Sequence, residues 1–179
     1  MAEPTFPDPA KLFIGILFNN NEILESLKAT LQRTYGSIDY QSNIIPFTHT
    51  EYYTSIGNHL NKILFSFDKL INREAIIDIK LFANEQEKKH SSHNNREINI
   101  DPGYMTASNV FLASCKDFYH RVYVGKGVYI ENEYRYTNKN YTFWEWTYPD
   151  YKKDEYLEFF FTMRKIYMNQ LKESKLFDR

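Results

Sequence analysis

Three basic residues, Lys80, Arg96 and Arg121, are well suited to bind an anion. An arginine guanidinium holds a carboxylate or a phosphate through two parallel hydrogen bonds, and a lysine ammonium adds a point charge. His120 precedes Arg121 directly, and an imidazole can transfer protons. These residues predict a cleft for a small phosphorylated or carboxylated ligand, in which His120 would serve as general acid or base if a reaction occurs.

Two carboxylates, Asp101 and Glu131, accompany these basic residues. We assign His120 and Asp101 as the candidate catalytic residues. In an alternative, a metal-dependent hydrolase or transferase, His49, Asp101, His120 and Glu131 would supply oxygen and nitrogen ligands. No pair among them has ligand spacing on one element, so plain binding ranks above this alternative. The sequence identifies no cofactor.

The segment Gly125-Lys126-Gly127 predicts a short hairpin between two runs rich in Val, Ile and Tyr. With Val124 opposite Val128, alternation directs one set of cross-strand pairs to the core: Val122 with Ile130, His120 with Asn132, and Phe118 with Tyr134. The other set faces solvent: Tyr123 with Tyr129, Arg121 with Glu131, and Asp117 with Arg135. On this basis a core role for His120, satisfied by Asn132 or a backbone carbonyl, ranks somewhat above a functional role. A surface ion pair likewise ranks well above catalysis for Arg121 and Glu131.

The remaining elements predict a single α+β domain with a mainly antiparallel sheet. Lys11 to Phe18 is a buried central strand, followed by a helix from the Asn19–Asn21 cap to Gly36. Ile77 to Asn84 alternates like a strand, which we favour over a helix from Glu74 to Lys89, and Asp101-Pro102-Gly103 indicates a turn. A C-terminal amphipathic helix carries the apolar stripe Tyr156, Phe159, Phe160, Met163, Ile166 and Tyr167. We expect a flexible N-terminal segment over residues 1–10 and the domain over 11–179.

Composition narrows the classes of partner. The 179 residues carry 22 basic and 23 acidic side chains, a net charge of −1, so no nucleic-acid partner is predicted. The N-terminus lacks the basic and apolar regions of a signal peptide, and no apolar run is long enough to span a membrane. The single cysteine, Cys115, is expected to be a small core residue and suits a reducing compartment. We therefore expect a cytoplasmic protein with no membrane partner.

Familiar catalytic and nucleotide-binding motifs are absent from the sequence. Gly125-Lys126 is not a phosphate loop, because His120 stands where its first glycine should be and Gly127 replaces Ser or Thr. There is no G-x-G-x-x-G, H-E-x-x-H, G-x-S-x-G or C-x-x-C pattern. Ordinary nucleotide folds, zinc proteases and esterases therefore have no sequence support.

Several blocks of the chain match a known family in order: KLFIGILFN, IPFTHTEYY, IKLFANEQE, REINIDPGYM, LASCKDFYHRVYVGKGVYIE and WTYPDY. Over nearly the whole chain they resemble the bacterial proteins grouped as domain of unknown function 4416. The resemblance implies no activity, because that family has none established. Some members are labelled GTP-binding, but this chain lacks the corresponding motifs. Within the matching blocks, the candidate ligand-binding residues are His49, Lys80, Arg96, Tyr104, Arg121 and Glu131.

A different class of function rests on the aromatic segment before the last helix. Trp144, Trp146, Tyr148 and Tyr151 would form an exposed apolar patch for a protein partner, or would close the core against that helix. Exposure of these rings distinguishes the two cases. Arrangement of Arg96, Asp101 and His120 around one cleft would instead favour the small-molecule site.

Overall fold

A computed structural model describes residues 1–47, 60–92 and 95–177, which form a single α+β domain. The strands of the main sheet are β1 (Ala10–Phe18), β2 (Ile38–Gln41), β3 (Ile45–Phe47), β4 (Leu60–Ile71), β7 (Ile98–Met105), β8 (Asn109–Ser114), β9 (Val122–Gly125), β10 (Val128–Thr137) and β11 (Asn140–Phe143). A separate ribbon pairs β5 (Ser91–Ser92) with β6 (Asn95–Arg96). The helices are α1 (Asn21–Tyr35), α2 (Ile76–Lys89) and α3 (Asp154–Phe177).

The main sheet is antiparallel at every described pairing and has the order β11-β10-β8-β7-β1-β4-β2, with β3 also on β4 and β9 also on β10. The predicted central strand, β1, is confirmed, because it lies between β4 and β7 and is buried along its whole length. Its Leu12 and Ile14 pack towards α1 and α2, whereas Phe13 packs towards α3. The sheet is thus covered by helices on both faces.

The helix that follows β1 begins and ends as predicted. The Asn20 side chain accepts hydrogen bonds from the backbone N–H groups of Glu22 and Ile23, at 2.8 and 3.4 Å. Gly36, at φ 101°, ends the helix in a conformation that favours glycine. The predicted stripe of α3 is confirmed for Tyr156, Phe159, Phe160, Met163 and Tyr167, which are buried against the sheet, whereas Ile166 is only partly buried.

The predicted strand over Ile77 to Asn84 is wrong, because this segment belongs to helix α2. The buried residues of α2 recur at helical spacing: Ile76, Ile79, Lys80, Ala83, Gln86 and Glu87. Half of these are polar, so an apolar periodicity does not reveal the helix.

The predicted turn at Asp101-Pro102-Gly103 is also wrong, since all three residues lie within strand β7. A Cβ at Gly103 would come within 2.3 Å of Phe111 O and 2.4 Å of Phe13 Cζ, so glycine permits close packing there rather than a turn. The β7–β8 ladder ends at the pair Gly103–Leu112. Beyond it, β7 continues along β1 and β8 continues along β10, which leaves a fork between β7 and β8.

The predicted hairpin exists, but its register and length differ from the prediction. Tyr123–Tyr129 and Val122–Ile130 pair as expected, whereas a bulge pairs Val128 with Gly125 instead of Val124. Strand β9 begins only at Val122, so the predicted pairs of Asn132, Tyr134 and Arg135 with residues 117–120 do not form. Those β10 residues pair with β8 instead, and Val122 is exposed rather than directed into the core.

Residues 1–9 have no regular secondary structure, and β1 begins at Ala10. The flexibility of residues 1–10 stays a prediction. Within the described part of the chain, none of the helices combines the length and apolar character needed to cross a membrane.

Candidate functional site

A polar cleft of about 160 Å³ opens at the fork between β7 and β8. Helix α2 supplies one wall and strand β10 contributes from the opposite side. The side chains with charged or hydrogen-bonding groups that line it are Lys80, Asn84, Glu87, Arg96, Asn99, Asp101, Ser114, Cys115, Lys116, Arg121, Glu131 and Tyr148. The cleft exists because the two strands separate there and polar residues occupy the buried face of α2.

Lys80 extends from α2 into this cleft and is only 7% exposed. Its Nζ donates to the backbone carbonyl of Ile100 at 3.1 Å. No carboxylate among the described residues forms an ion pair with it. A buried ammonium is costly to keep without an opposite charge, so Lys80 is the most distinctive electrostatic feature of the cleft.

Arg96 lies in β6 of the two-stranded ribbon, and its side chain reaches the wall of the cleft that α2 supplies. Its Nη1 donates to Glu87 Oε2 at 3.2 Å and to Asn99 Oδ1 at 3.3 Å. Glu87, which is 6% exposed, also accepts from the backbone N–H of Ile100 at 2.7 Å. The carboxylate of Glu87 thereby joins α2 to β7 and orients Arg96 at the cleft.

Glu131, in β10, accepts hydrogen bonds from two neighbouring basic residues. Its Oε2 lies 2.6 Å from His120 Nε2, and its Oε1 accepts from Arg121 Nη2 at 3.1 Å. Burial alone would lower the pKa of Arg121, but its hydrogen bond to Glu131 and the charge of that carboxylate raise it above the ordinary value. The predicted surface ion pair is therefore buried, with side-chain exposures of 8% for Arg121 and 1% for Glu131.

His120 lies behind Glu131 and is not part of the cleft lining. Its ring stacks on Trp146 with 5.1 Å between centroids, and Trp146 stacks in turn on Trp144 at 5.4 Å. The imidazole is buried, as predicted, but its partner is Glu131 rather than Asn132 or a backbone carbonyl. His120 thus positions Glu131, which lines the cleft, but does not line the cleft itself.

Asp101 joins the cleft to a deeper polar cluster. Its Oδ2 accepts from Asn99 Nδ2 at 2.9 Å and lies 3.8 Å from Lys62 Nζ. Lys62 is 6% exposed and also lies 3.5 Å from Asp150 Oδ2. The ammonium is further enclosed by aromatic rings, with Tyr151 at 5.3 Å. The contacts with Asn99 and with this cluster hold the Asp101 side chain in place.

Residues 8–167 match the model of a family described as Domain of unknown function (DUF4416). The chain belongs to the DUF4416 family. The match covers most of the 179 residues and confirms the resemblance found in the sequence blocks. Comparison with the curated proteins and with the solved structures gave no match.

The cleft of this DUF4416 protein contains five of the residues proposed from sequence: Lys80, Arg96, Asp101, Arg121 and Glu131. Tyr104 does not line it, because that ring is buried beside Phe111 in an apolar cluster. His49 falls outside the described residues. Cys115, expected in the core, is exposed and lines the cleft.

The aromatic segment of the DUF4416 chain is mostly packed. Tyr151 is buried in the core, Trp144 and Trp146 are partly buried in the stack with His120, and Tyr148 is 39% exposed. The phenol of Tyr148 lines the cleft and accepts from Arg121 Nη2 at 2.8 Å. Desolvation, and then the charge of Glu131, raise the pKa of Tyr148 to about 12, so its hydroxyl keeps its proton at neutral pH.

Sequence reasoning missed several residues that build the site: Lys62, Asn84, Glu87, Asn99, Glu133 and Tyr148. Glu133 follows Glu131 on the same face of β10 and is fully buried. Burial, and then the charge of Glu131, raise the pKa of Glu133 to about 8. Glu131 and Glu133 alternate with Asn132 on the strand, and that pattern is the one sequence signal for a buried acidic face. The described residues include no group of three or more His, Cys, Asp or Glu placed to hold a metal ion.

Proposed function

We propose that this DUF4416 protein binds a small anion, with a carboxylate or phosphate group, in the cleft between β7, β8 and α2. The observation that carries the proposal is Lys80, a buried ammonium that lines the cleft without a described carboxylate partner. A bound anion would supply the missing opposite charge. Since removing an ammonium from water is costly, that compensation is a physical reason for such a ligand to bind.

Two arginines support the same ligand. The described hydrogen bonds of Arg96 use only Nη1, so its remaining N–H groups have no described protein acceptor. Arg121 contributes positive charge and no free accessible donor, because its two Nη groups donate to Ser114 Oγ, the Lys116 carbonyl, Glu131 and Tyr148, and its Nε is buried without a partner among the described residues. A guanidinium such as that of Arg96, which is fixed by neighbours and retains free donors, can bind an anion with little loss of side-chain entropy.

The size of the cleft restricts the ligand. Its volume of about 160 Å³ is below the roughly 300–1,000 Å³ of sites for drug-sized molecules. A small acid or a phosphate group suits this space.

A thermal-shift screen against small carboxylates, inorganic phosphate and sugar phosphates tests the proposal. A ligand at about a hundred times its Kd adds about 2.7 kcal/mol to the unfolding free energy, which corresponds to a Tm increase of roughly 5 to 10 °C. If no compound of the panel raises the Tm of the well-folded protein, the proposal is contradicted.

A matched pair of variants tests whether a ligand found in this screen binds in the cleft. We expect Arg96→Gln to weaken binding at least about tenfold, because a charge-assisted hydrogen bond contributes about 1.5–3 kcal/mol. Arg135→Gln serves as the control, since Arg135 is exposed on β10 and does not line the cleft. Equal affinities for both variants would put the ligand elsewhere on the protein.

A further inference from the structure

We infer that the ligand of this cleft is a small monocarboxylate that also carries a hydroxyl or ammonium group. This inference rests on the proposed function and narrows it to one class of anion. It follows from three properties of the cleft: its ion pairs, an acidic oxygen that accepts from no described residue, and its size.

The ion pairs of the cleft favour one carboxylate beside Lys80. Glu87 is paired with Arg96 at 3.2 Å and Glu131 with Arg121 at 3.1 Å, whereas Lys62 lies between Asp101 at 3.8 Å and Asp150 at 3.5 Å. Lys80 is the buried cation that has no ion pair with a carboxylate of the described residues.

The other lysine of the lining, Lys116, is exposed, so water and salt screen its charge. One carboxylate on the ligand would therefore supply the ion-pair partner that Lys80 lacks among the described residues. A phosphate dianion would bring a second negative charge close to the carboxylates of Glu87, Asp101 and Glu131, which is unfavourable.

Asp101 indicates the second group of the ligand. Its Oδ2 accepts from Asn99 and faces Lys62, but its Oδ1 accepts no hydrogen bond from a described residue. The side chain is 22% exposed and lines the cleft. A ligand that places a hydroxyl or an ammonium against Oδ1 would satisfy this carboxylate, while its own carboxylate faces Lys80 and Arg96.

The size of the cleft favours a short ligand. Its volume of about 160 Å³ is well below the roughly 300–1,000 Å³ of sites for drug-sized molecules, so a small substituted acid suits it.

Isothermal titration of the full chain with lactate, alanine, propionate and inorganic phosphate tests the inference. Lactate and alanine add a hydroxyl or an ammonium to the propionate skeleton, so they separate the two donors. We expect at least one of them to bind about tenfold or more tightly than propionate, which corresponds to one hydrogen bond to a charged group. We expect phosphate to bind more weakly than that ligand.

Two Asp101 variants connect the preference to the carboxylate. The quantity to compare is the affinity for the tighter of lactate and alanine divided by the affinity for propionate. In Asp101→Ala this ratio should fall to about one, because the acceptor is gone. In Asp101→Asn it should fall only in part. Lys62 keeps Asp150 as a partner in both variants, which supports folding. Asp78→Ala, an exposed carboxylate on α2, should leave the ratio unchanged.

The outcomes separate this inference from the proposed function. Equal binding of all three carboxylates, or tighter binding of phosphate, would overturn the inference and leave an anion-binding cleft in place. Binding by none of the four probes, when another anion shows Arg96-dependent binding, would overturn it as well. Absence of binding by every anion would overturn both.

Discussion

Arg121 and Glu131 form an ion pair of 3.1 Å that lies at the centre of the site and is almost completely buried. His120 contacts the second oxygen of the same carboxylate, so Glu131 is the common partner of two basic side chains. Removing one member of a buried pair leaves the other charge desolvated, and this costs much more than breaking a surface pair. The arrangement therefore ties the stability of the domain to the geometry of its cleft.

Glu131→Gln should lower the free energy of unfolding by about 3 to 5 kcal/mol, because the Arg121 guanidinium loses its buried counter-charge. Asp78→Asn is the matched control: it removes the carboxylate of an exposed 2.8 Å pair with Lys126 and should cost less than about 1 kcal/mol. Urea unfolding at pH 7 measures both. Similar losses in the two variants would show that burial does not strengthen the Glu131 pair.

Lys80→Met should leave stability unchanged within about 1 kcal/mol or increase it, because an apolar chain of similar length replaces a buried charge. The lost hydrogen bond to Ile100 O offsets part of that gain. The same variant should no longer bind any anion found in the screen. Lys88→Met, exposed on the same helix, should change neither property. A loss above about 2 kcal/mol in Lys80→Met would mean that the protein already stabilises the ammonium.

Glu133 should make stability decrease as the pH rises. The unfolded chain releases this proton near the ordinary pKa of 4.5, whereas the folded protein keeps it until about pH 8, with Glu131, Asp150 and Lys62 as the surrounding charges. Its contribution is complete below the unfolded pKa and is lost as the pH rises through the folded value.

Glu133→Gln removes this titration. Between pH 5.5 and 7.5 the wild type should lose about 2 kcal/mol more unfolding free energy than the variant, as urea midpoints at both values will show. Glu25→Gln, an exposed site on α1, should follow the wild type. Parallel pH profiles for wild type and Glu133→Gln would rule out a protonated Glu133.

Gly103→Ala should destabilise the domain by about 3 kcal/mol or more, because the new Cβ meets the backbone oxygen of Phe111 at 2.3 Å. The strands next to the fork would have to move apart. Gly127→Asn is the control, since Gly127 has φ 75° with no atom near its Cβ position and asparagine tolerates that conformation. Thermal unfolding of both variants compares them, and equal Tm values would contradict the close packing.

Local sequence signals predicted the parts of the fold that depend on neighbouring residues. The apolar run of β1, the Asn20 cap and Gly36 stop of α1, and the stripe of α3 each follow from short-range rules, and each is confirmed. Helix α2 was missed because Lys80, Gln86 and Glu87 occupy its buried face, so its apolar residues do not trace a helical stripe. The apolar helical pattern fails at the candidate site, because the cleft requires polar residues on the buried face of α2.

The sequence by itself determined the α+β class, the central strand, the terminal helices and the identity of five side chains that line the cleft. The tertiary structure decided where those side chains meet, since the fork between β7 and β8 depends on which strands pair over long distances. It also decided that Arg121 and Glu131 are buried and that Lys80 has no described counter-charge. Burial and charge balance are properties of the packed molecule, because each depends on residues from several elements at once.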